Sequence, residues 1–232
     1  MSSLTSPFAA KSSAENIAEP PRVKVLRETV IIAAAPPAND FYDQQIQALV
    51  QQLFFQASAT PVRHIGIASV EPDTETAQLC LDMGLALAAL GPHDVGLVDV
   101  RLQAPPLHTQ LKIAGDQDAD ESRQIGPNLW LASRRSWLDD SPQGLWDHSL
   151  GRLRATTLEF DFSILCLDPI SWLTPKISKA CDGLIIVLTA NKTRRLVAVE
   201  IQERLRRGQV PVLGSILADR RFPVPEGLYR NL

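Results

Sequence analysis

The sequence predicts an α/β fold, with a mainly parallel central sheet between two helical layers, and three observations point to it. Apolar runs of strand length, with almost no polar alternation, occur at 95–100, 162–167 and 184–188. Such runs suit strands covered on both faces, which is how parallel sheets are built. Segments with apolar residues at helical spacing separate them. The third observation is the stretch 63–91, in which the β-prone run His64-Ile65-Gly66-Ile67-Ala68 passes through a polar loop into an amphipathic helix. Strands alternating with helices at these intervals argue for βαβ units.

Taken in order, residues 1–38 read as a flexible tail. Residues 1–22 are rich in Ser, Ala, Glu and Pro and carry too little apolar surface to order themselves. Residues 23–34 read as a short extended segment, which Pro36 and Pro37 terminate. A single domain over 39–232 follows. Residues 40–55 predict a helix, with Ile46, Leu49, Val50, Leu53 and Phe54 at helical spacing. Residues 57–62 lead into the first core strand. In the next helix Leu79, Met83, Ala86, Leu87 and Leu90 form the expected apolar face, and Gly91 supplies a stop. After the strand at 95–100, Pro105 and Pro106 break the chain. Residues 108–127 are polar and predict no element. A short strand at 129–132 and a helix at 143–158 precede the runs at 162–167 and 184–188. A helix at 193–207, with Val197, Ile201 and Leu205 on one face, leads to a last strand at 212–217.

Composition narrows the function. The 232 residues are 45% hydrophobic, enough for a sizeable core. A net charge of −3 excludes the usual profile of a general nucleic-acid binder, which is basic. Cys80, Cys166 and Cys181 lie far apart inside apolar runs, the pattern of buried thiols in a reducing compartment. No apolar run reaches the length of a membrane span. Residues 30–35 are apolar but too short, and lack the basic leader of a signal peptide. A cytoplasmic protein is the expectation.

The strand, loop and helix of 63–91 have the geometry of a phosphate-binding loop. A working loop reads GxxxxGK[ST]. Here its glycine positions read Asp73 and Glu75, its lysine reads Thr76, and its hydroxyl position reads Ala77.

Several stretches, in order, resemble the deviant-Walker P-loop ATPases of the ParA/MinD-like fold. The branch is that of the bacterial tyrosine kinases and their relatives in capsule and exopolysaccharide synthesis. Ser69-Val70-Glu71-Pro72 is similar to the opening of that family's phosphate loop. Leu97-Val98-Asp99-Val100-Arg101-Leu102, running on to Pro105 and Leu107-His108, resembles its DxDxR…PxLH motif. Phe162 to Pro169 resembles its Walker B strand, and Cys181 to Val187 the strand after it. Pro211-Val212-Leu213-Gly214, then Phe222-Pro223-Val224-Pro225-Glu226 and Leu228-Tyr229, resemble its closing pattern. The resemblance spans about residues 40 to 232, and implies a three-layer α/β/α P-loop NTPase-like domain.

The departures fall on functional positions. By resemblance, a lysine that reaches the β- and γ-phosphates is replaced by Thr76, and the magnesium-holding hydroxyl by Ala77. The second aspartate of DxD falls on Arg101, and an adenine-contacting asparagine falls on Ala218, with Asp219 next to it. Asp99 and Asp168 alone survive from the magnesium positions. The kinases' C-terminal tyrosine cluster is reduced to Tyr229, and the Glu/Arg repeat of their first helix is not visible in 40–55.

Physics agrees with the loss of nucleotide binding. A non-glycine residue at positive φ costs about 1–2 kcal/mol, so Asp73 and Glu75 disfavour the phosphate-cradling shape. At about 5 Å and an effective dielectric of about 20, each acidic side chain opposes a phosphate charge by about 3 kcal/mol. The expectation is no ATP or Mg²⁺ cofactor, no metal and no catalytic residue. The phosphate loop (Ser69, Glu71, Pro72, Asp73, Glu75, Thr76, Ala77) and the magnesium positions (Asp99, Asp168) are then vestigial.

Plainer readings stand beside these. Asp99 and Asp168 each end an apolar strand, where an Asp can cap the next turn. Glu71, Asp73 and Glu75 read as a solvated acidic loop more readily than as an ion site. His64, His93, His108 and His148 are isolated, without ligand spacing. No GxSxG elbow is present. Arg194, Arg195, Arg204, Arg206 and Arg207 make one helix basic, read first as a solvated face. The resemblance implies a pseudo-ATPase or pseudokinase, a regulatory or scaffold partner of an inner-membrane polysaccharide chain-length regulator. It binds no nucleic acid, does not insert in the membrane, and reaches it only through that partner. The alternative is an active but divergent ATPase or tyrosine kinase. A positioning factor of the ParA/MinD kind is a third reading.

Overall fold

Alternate residues of the apolar runs face opposite ways, so each run feeds two cores at once. The structure, a computed structural model, describes residues 40–55, 61–72, 76–113, 122–138 and 146–218. Among these, seven strands form one sheet: β1 (His64–Ser69), β2 (Val95–Asp99), β3 (Arg123–Gly126), β4 (Leu129–Ala132), β5 (Phe162–Cys166), β6 (Gly183–Thr189) and β7 (Val212–Ala218). Their order is β3-β4-β2-β5-β1-β6-β7, and every pairing is parallel except β3 with β4. Ile65, Leu97, Ile164 and Ile185 point into one core, while Ala68, Val98, Leu165 and Ile186 point into the other.

Helices cover both faces, as the sequence predicts. The first core is closed by α1 (Asp40–Phe54), α2 (Thr76–Ala88) and the one-turn α3 (Leu107–Gln110), through Ile46, Val50, Met83, Leu87 and Leu107. The second is closed by α4 (Arg134–Trp137), α5 (Trp146–Leu158), α6 (Thr174–Ile177) and α7 (Arg195–Arg207), through Trp137, Leu153, Ile177 and Leu205. A 3₁₀ turn at Ser178–Ala180 follows α6. Gly96 is required at its place in β2, because a Cβ there would stand 2.1 Å from the Phe160 ring.

Four features differ from the sequence expectation. The region 108–127, which predicts no element, contains α3 and the antiparallel strand β3. Pro127-Asn128 turns β3 into β4, with Asn128 at φ 55°, a backbone that Asn tolerates better than most residues. The short helices α4 and α6 were also outside the expectation, being too short to show a period. In α2, Cys80, Leu81 and Gly84 are buried with Met83 and Leu87, whereas Leu90 lies beyond the helix and is exposed. The buried face is wider than predicted because α1 packs on its flank, where the Tyr42 hydroxyl donates to Asp82 at 2.8 Å. On α7 only Leu205 is fully buried and Val197 is exposed, since β7 beneath it is a half-exposed edge strand. The tail, the segment 23–34, Asp73, Glu75, Asp219 and the closing pattern from Phe222 to Tyr229 lie outside the described residues.

Candidate functional site

Parallel strands send their C-terminal ends to one edge, and there β2, β5 and β1 lie side by side. From β1 the chain crosses to β2 on one side, and from β5 it crosses to β6 on the other. That reversal opens the crevice where α/β sheets bind ligands. Asp99 pairs in register with Cys166, so Asp168 lies two residues past it on the neighbouring strand, and Leu167 N–H donates to Ile67 O at 3.0 Å. Ser69, Asp99 and Asp168 are thus gathered at one edge. Ser69 is buried, and its carbonyl accepts from Ile170 N–H at 2.9 Å. Glu71 is half-buried and Pro72 exposed, and α2 opens with Thr76 and Ala77, both buried. Ala218 ends β7, its carbonyl accepting from Ala190 N–H at 2.9 Å.

The two aspartates are engaged inside the protein. Asp99 Oδ1 accepts from the backbone N–H and the Nε of Arg101, each at 3.2 Å. Asp99 Oδ2 accepts from Leu107 N–H at 2.7 Å, opening α3, and Arg134 Nε stands 3.8 Å away. Both members of the Asp99–Arg101 ion pair are 3% exposed, so water does little to screen it. The rest of the Arg101 guanidinium donates to Gln110 Oε1 and to Pro105 O. Asp168 accepts three backbone N–H groups, from Leu102 at 2.5 Å, Gln103 at 3.0 Å and Ala104 at 3.2 Å. Arg134 holds the same turn from its other side, donating to Leu102 O and Ala104 O. Trp137 Nε1 donates to Asp99 O at 2.9 Å.

Arg134 and Trp137 are residues the sequence reading did not single out. A signal was available, because the predicted strand at 129–132 delivers the residues after it to the same sheet edge. His108, expected to be an isolated residue, joins this group through α3. Among the described residues its Nε2 is buried without a hydrogen-bond partner. Burial holds the His108 imidazole below its ordinary 6.5, and the Arg134 and Arg123 guanidiniums lower it further against the pull of Asp99. His64 faces Ser163 Oγ at 3.0 Å, and burial lowers it also. Among the described residues no group of three or more His, Cys, Asp or Glu could hold a metal ion.

This architecture has solved counterparts. The VpsO kinase domain superposes with a TM-score of 0.60 at 16% identity, over 78% of this chain and 98% of that one. The kinase domain of the Escherichia coli tyrosine kinase ETK gives 0.58 at 14% identity, over 80% of each chain. This chain has the fold of the deviant-Walker P-loop ATPases. MinD from Pyrococcus horikoshii, solved with Mg-ADP, shares it at a TM-score of 0.53 and 16% identity, over 73% of this chain and 76% of that one. No family model and no curated protein matches the sequence.

A magnesium nucleotide fits the described residues of this P-loop fold poorly. Thr76 and Ala77, which the sequence reading places at the lysine and hydroxyl positions, are both buried, and neither supplies a positive charge. The Asp99 carboxylate already faces a guanidinium where a cation would draw it. Asp168 is committed to three N–H groups of the turn at 102–104. Among the described residues no helix is long and apolar enough to cross a membrane.

Proposed function

We propose that this chain is a catalytically degenerate P-loop domain, a pseudo-ATPase or pseudokinase. In this reading it acts as a regulatory or scaffold partner of an inner-membrane polysaccharide chain-length regulator in exopolysaccharide or capsule biosynthesis and export. It works at the cytoplasmic face of the membrane and transfers no phosphoryl group. The observation that carries the reading is the closed state of Asp99, whose two oxygens are taken by Arg101, Leu107 N–H and the nearby Arg134. In a catalytic site that carboxylate must be open to a metal ion. Here Arg101 supplies the positive charge permanently, and its two further hydrogen bonds tie it to the turn before α3.

The test is equilibrium binding of a fluorescent ATP analogue with Mg²⁺. The natural chain is compared with one carrying Asp73→Gly, Glu75→Gly, Thr76→Lys and Ala77→Ser. The natural chain is expected not to bind, and the restored loop to recover measurable binding. Micromolar binding by the natural chain would sink the reading. Co-purification with a chain-length regulator in the absence of nucleotide tests the scaffold role, and failure to associate under every nucleotide condition removes it. A second reading, an active but divergent ATPase or tyrosine kinase, rests on the survival of Asp99 and Asp168 at the sheet edge. It requires phosphate release, or phosphotyrosine, above background from the natural chain.

A further inference from the structure

Exposed apolar surface is concentrated at the β7 edge of the sheet. Of the twelve large hydrophobic residues exposed among the described ones, six lie on α7 or β7. Leu196 is 83% exposed, Leu217 52% and Val199 48%. The helix reaches the second core through Ile201 and Leu205, and its β7 side stands off the sheet. Between the two runs a groove of about 310 Å³, with Ile186 and Leu188 in its floor, Arg195 and Val199 on the helix side and Val212 and Ser215 on the strand side.

Beyond β7 no further strand is paired among the described residues. Ala218 O accepts from Ala190 N–H, just past β6, and in a parallel pair the main-chain groups face the neighbour at every second residue. Ile216 therefore also faces β6, while Ser215 and Leu217 turn their N–H and C=O groups outward. The side chains of these two, in register with Ile186 and Leu188, stand on the groove side. The register shift with β6 lies at the start of β7, so 214–218 is regular.

Open edges are normally guarded by charges, prolines or bulges. β7 reads VLGSILA, with no charge and no proline, and its one irregularity precedes the outward-facing residues. A two-fold axis sets like against like, so a charged strand repels its own copy and an uncharged one does not. The one charged residue lining the groove, Arg195, opens α7 and so stands at an end of the helix rather than its middle. Residues 219–232 are a poorer match to this edge. Asp219, Arg220 and Arg221 are charged, and Pro223 and Pro225 lack the N–H that a ladder needs.

We propose that a second copy of this chain docks here, by antiparallel β7–β7 pairing about a two-fold axis at Ile216. Ser215 of each copy exchanges main-chain hydrogen bonds with Leu217 of the other, which joins the two sheets into one. The two α7 helices run antiparallel above the junction and close the groove with Leu196 and Val199. This inference goes beyond the scaffold reading and does not rest on it, because neither the edge nor the groove includes Asp99, Asp168 or a described phosphate-loop residue.

Sedimentation equilibrium of the full-length chain tests it. A dimer with a dissociation constant of about 100 µM or below is expected. Leu217→Lys sets like charges diagonally across the axis, and is expected to weaken the dimer by about tenfold or more. Leu217→Glu is expected to do the same, and mixing the two variants to restore association. If the Leu217 variants fail to fold by circular dichroism, Val199→Lys serves in their place, with the same weakening expected. Hydrogen exchange at the Ser215 and Leu217 amides is expected to be slow in the dimer and fast in the dissociated variant. A chain that stays monomeric up to about 1 mM overturns the proposal, and so does a dimer that these variants leave unchanged. A monomer in which both amides are already protected overturns it equally, since a segment of the same chain, such as 23–34, then occupies the edge.

Discussion

Asp99 shows at the scale of one residue how a carboxylate can persist at a ligand-binding edge and serve the fold. Its ion pair with Arg101 is buried, and buried pairs are costly to break one partner at a time. Arg101→Ala leaves a buried carboxylate with Leu107 N–H and a more distant Arg134, and is expected to destabilise the fold by about 3 kcal/mol in urea unfolding. A loss under about 0.5 kcal/mol, the scale of an exposed pair, would mean that the pair is solvated. The plainer sequence reading, an Asp capping the turn after its own strand, describes the contacts of Asp99, whereas Asp168 caps the turn after the neighbouring strand β2. Residue type alone could not choose it, because a free carboxylate and a saturated one have the same letter. Histidines set the acid response at this scale. The native values of His64 and His108 lie below 6.5, so the unfolded chain binds more protons as pH falls below 6.5. Their contribution to stability is complete above 6.5 and is lost as pH falls through the native values. Glu159, raised by burial, has the opposite sign, its contribution growing as pH falls through its raised native value towards 4.5. The melting temperature is expected to fall between pH 7 and 5, with a shallower slope in His64→Gln. An unchanged slope there would remove His64 from the account.

At the scale of the element, boundaries follow local chemistry where the chain supplies it. The C-terminus of α7 closes with Val210 N–H on Leu205 O and Gln209 N–H on Arg206 O, each at 3.0 Å, the Schellman arrangement. Its left-handed position falls on Gln209 at φ 54°, one residue after Gly208. Glycine adopts that backbone without the steric penalty, so Gln209→Gly is expected to stabilise by about 0.5–1 kcal/mol. Thermal denaturation checks this, and a lower melting temperature would contradict the cap. The β3–β4 hairpin has a similar origin, in Pro127-Asn128, yet lay hidden in the sequence. Only four residues make β3, and its pairing to β4 shifts register between Gln124 and Gly126, so no alternation could build up. Long apolar runs such as β5 and β6 were legible because burial on both faces dictates their composition.

At the scale of the whole molecule, one sheet is shared by two cores. No core can lose its packing without exposing a face of β1, β2, β5 and β6. The described part of the chain is therefore expected to unfold as a unit. Trp130, Trp137 and Trp146 all belong to the second core, while α1 and α2 cover the first. Urea curves from tryptophan emission and from far-ultraviolet circular dichroism are expected to coincide. Separate midpoints would show that the two faces unfold independently.

The sequence by itself determined the layered α/β fold and the strand and helix order of its long elements. These are properties of period, run length and residue identity, which a chain carries wherever it folds. Tertiary structure alone decided that Arg101 closes Asp99, that Asp168 and Arg134 grip one turn from both sides, and that His108 is brought under the charges of Asp99 and Arg134. Those partners come from β2, α3, α4 and the turn after β5, up to 66 positions apart. Only the alignment of parallel strand ends brings them to one edge, and a side chain's availability depends on which neighbours arrive there.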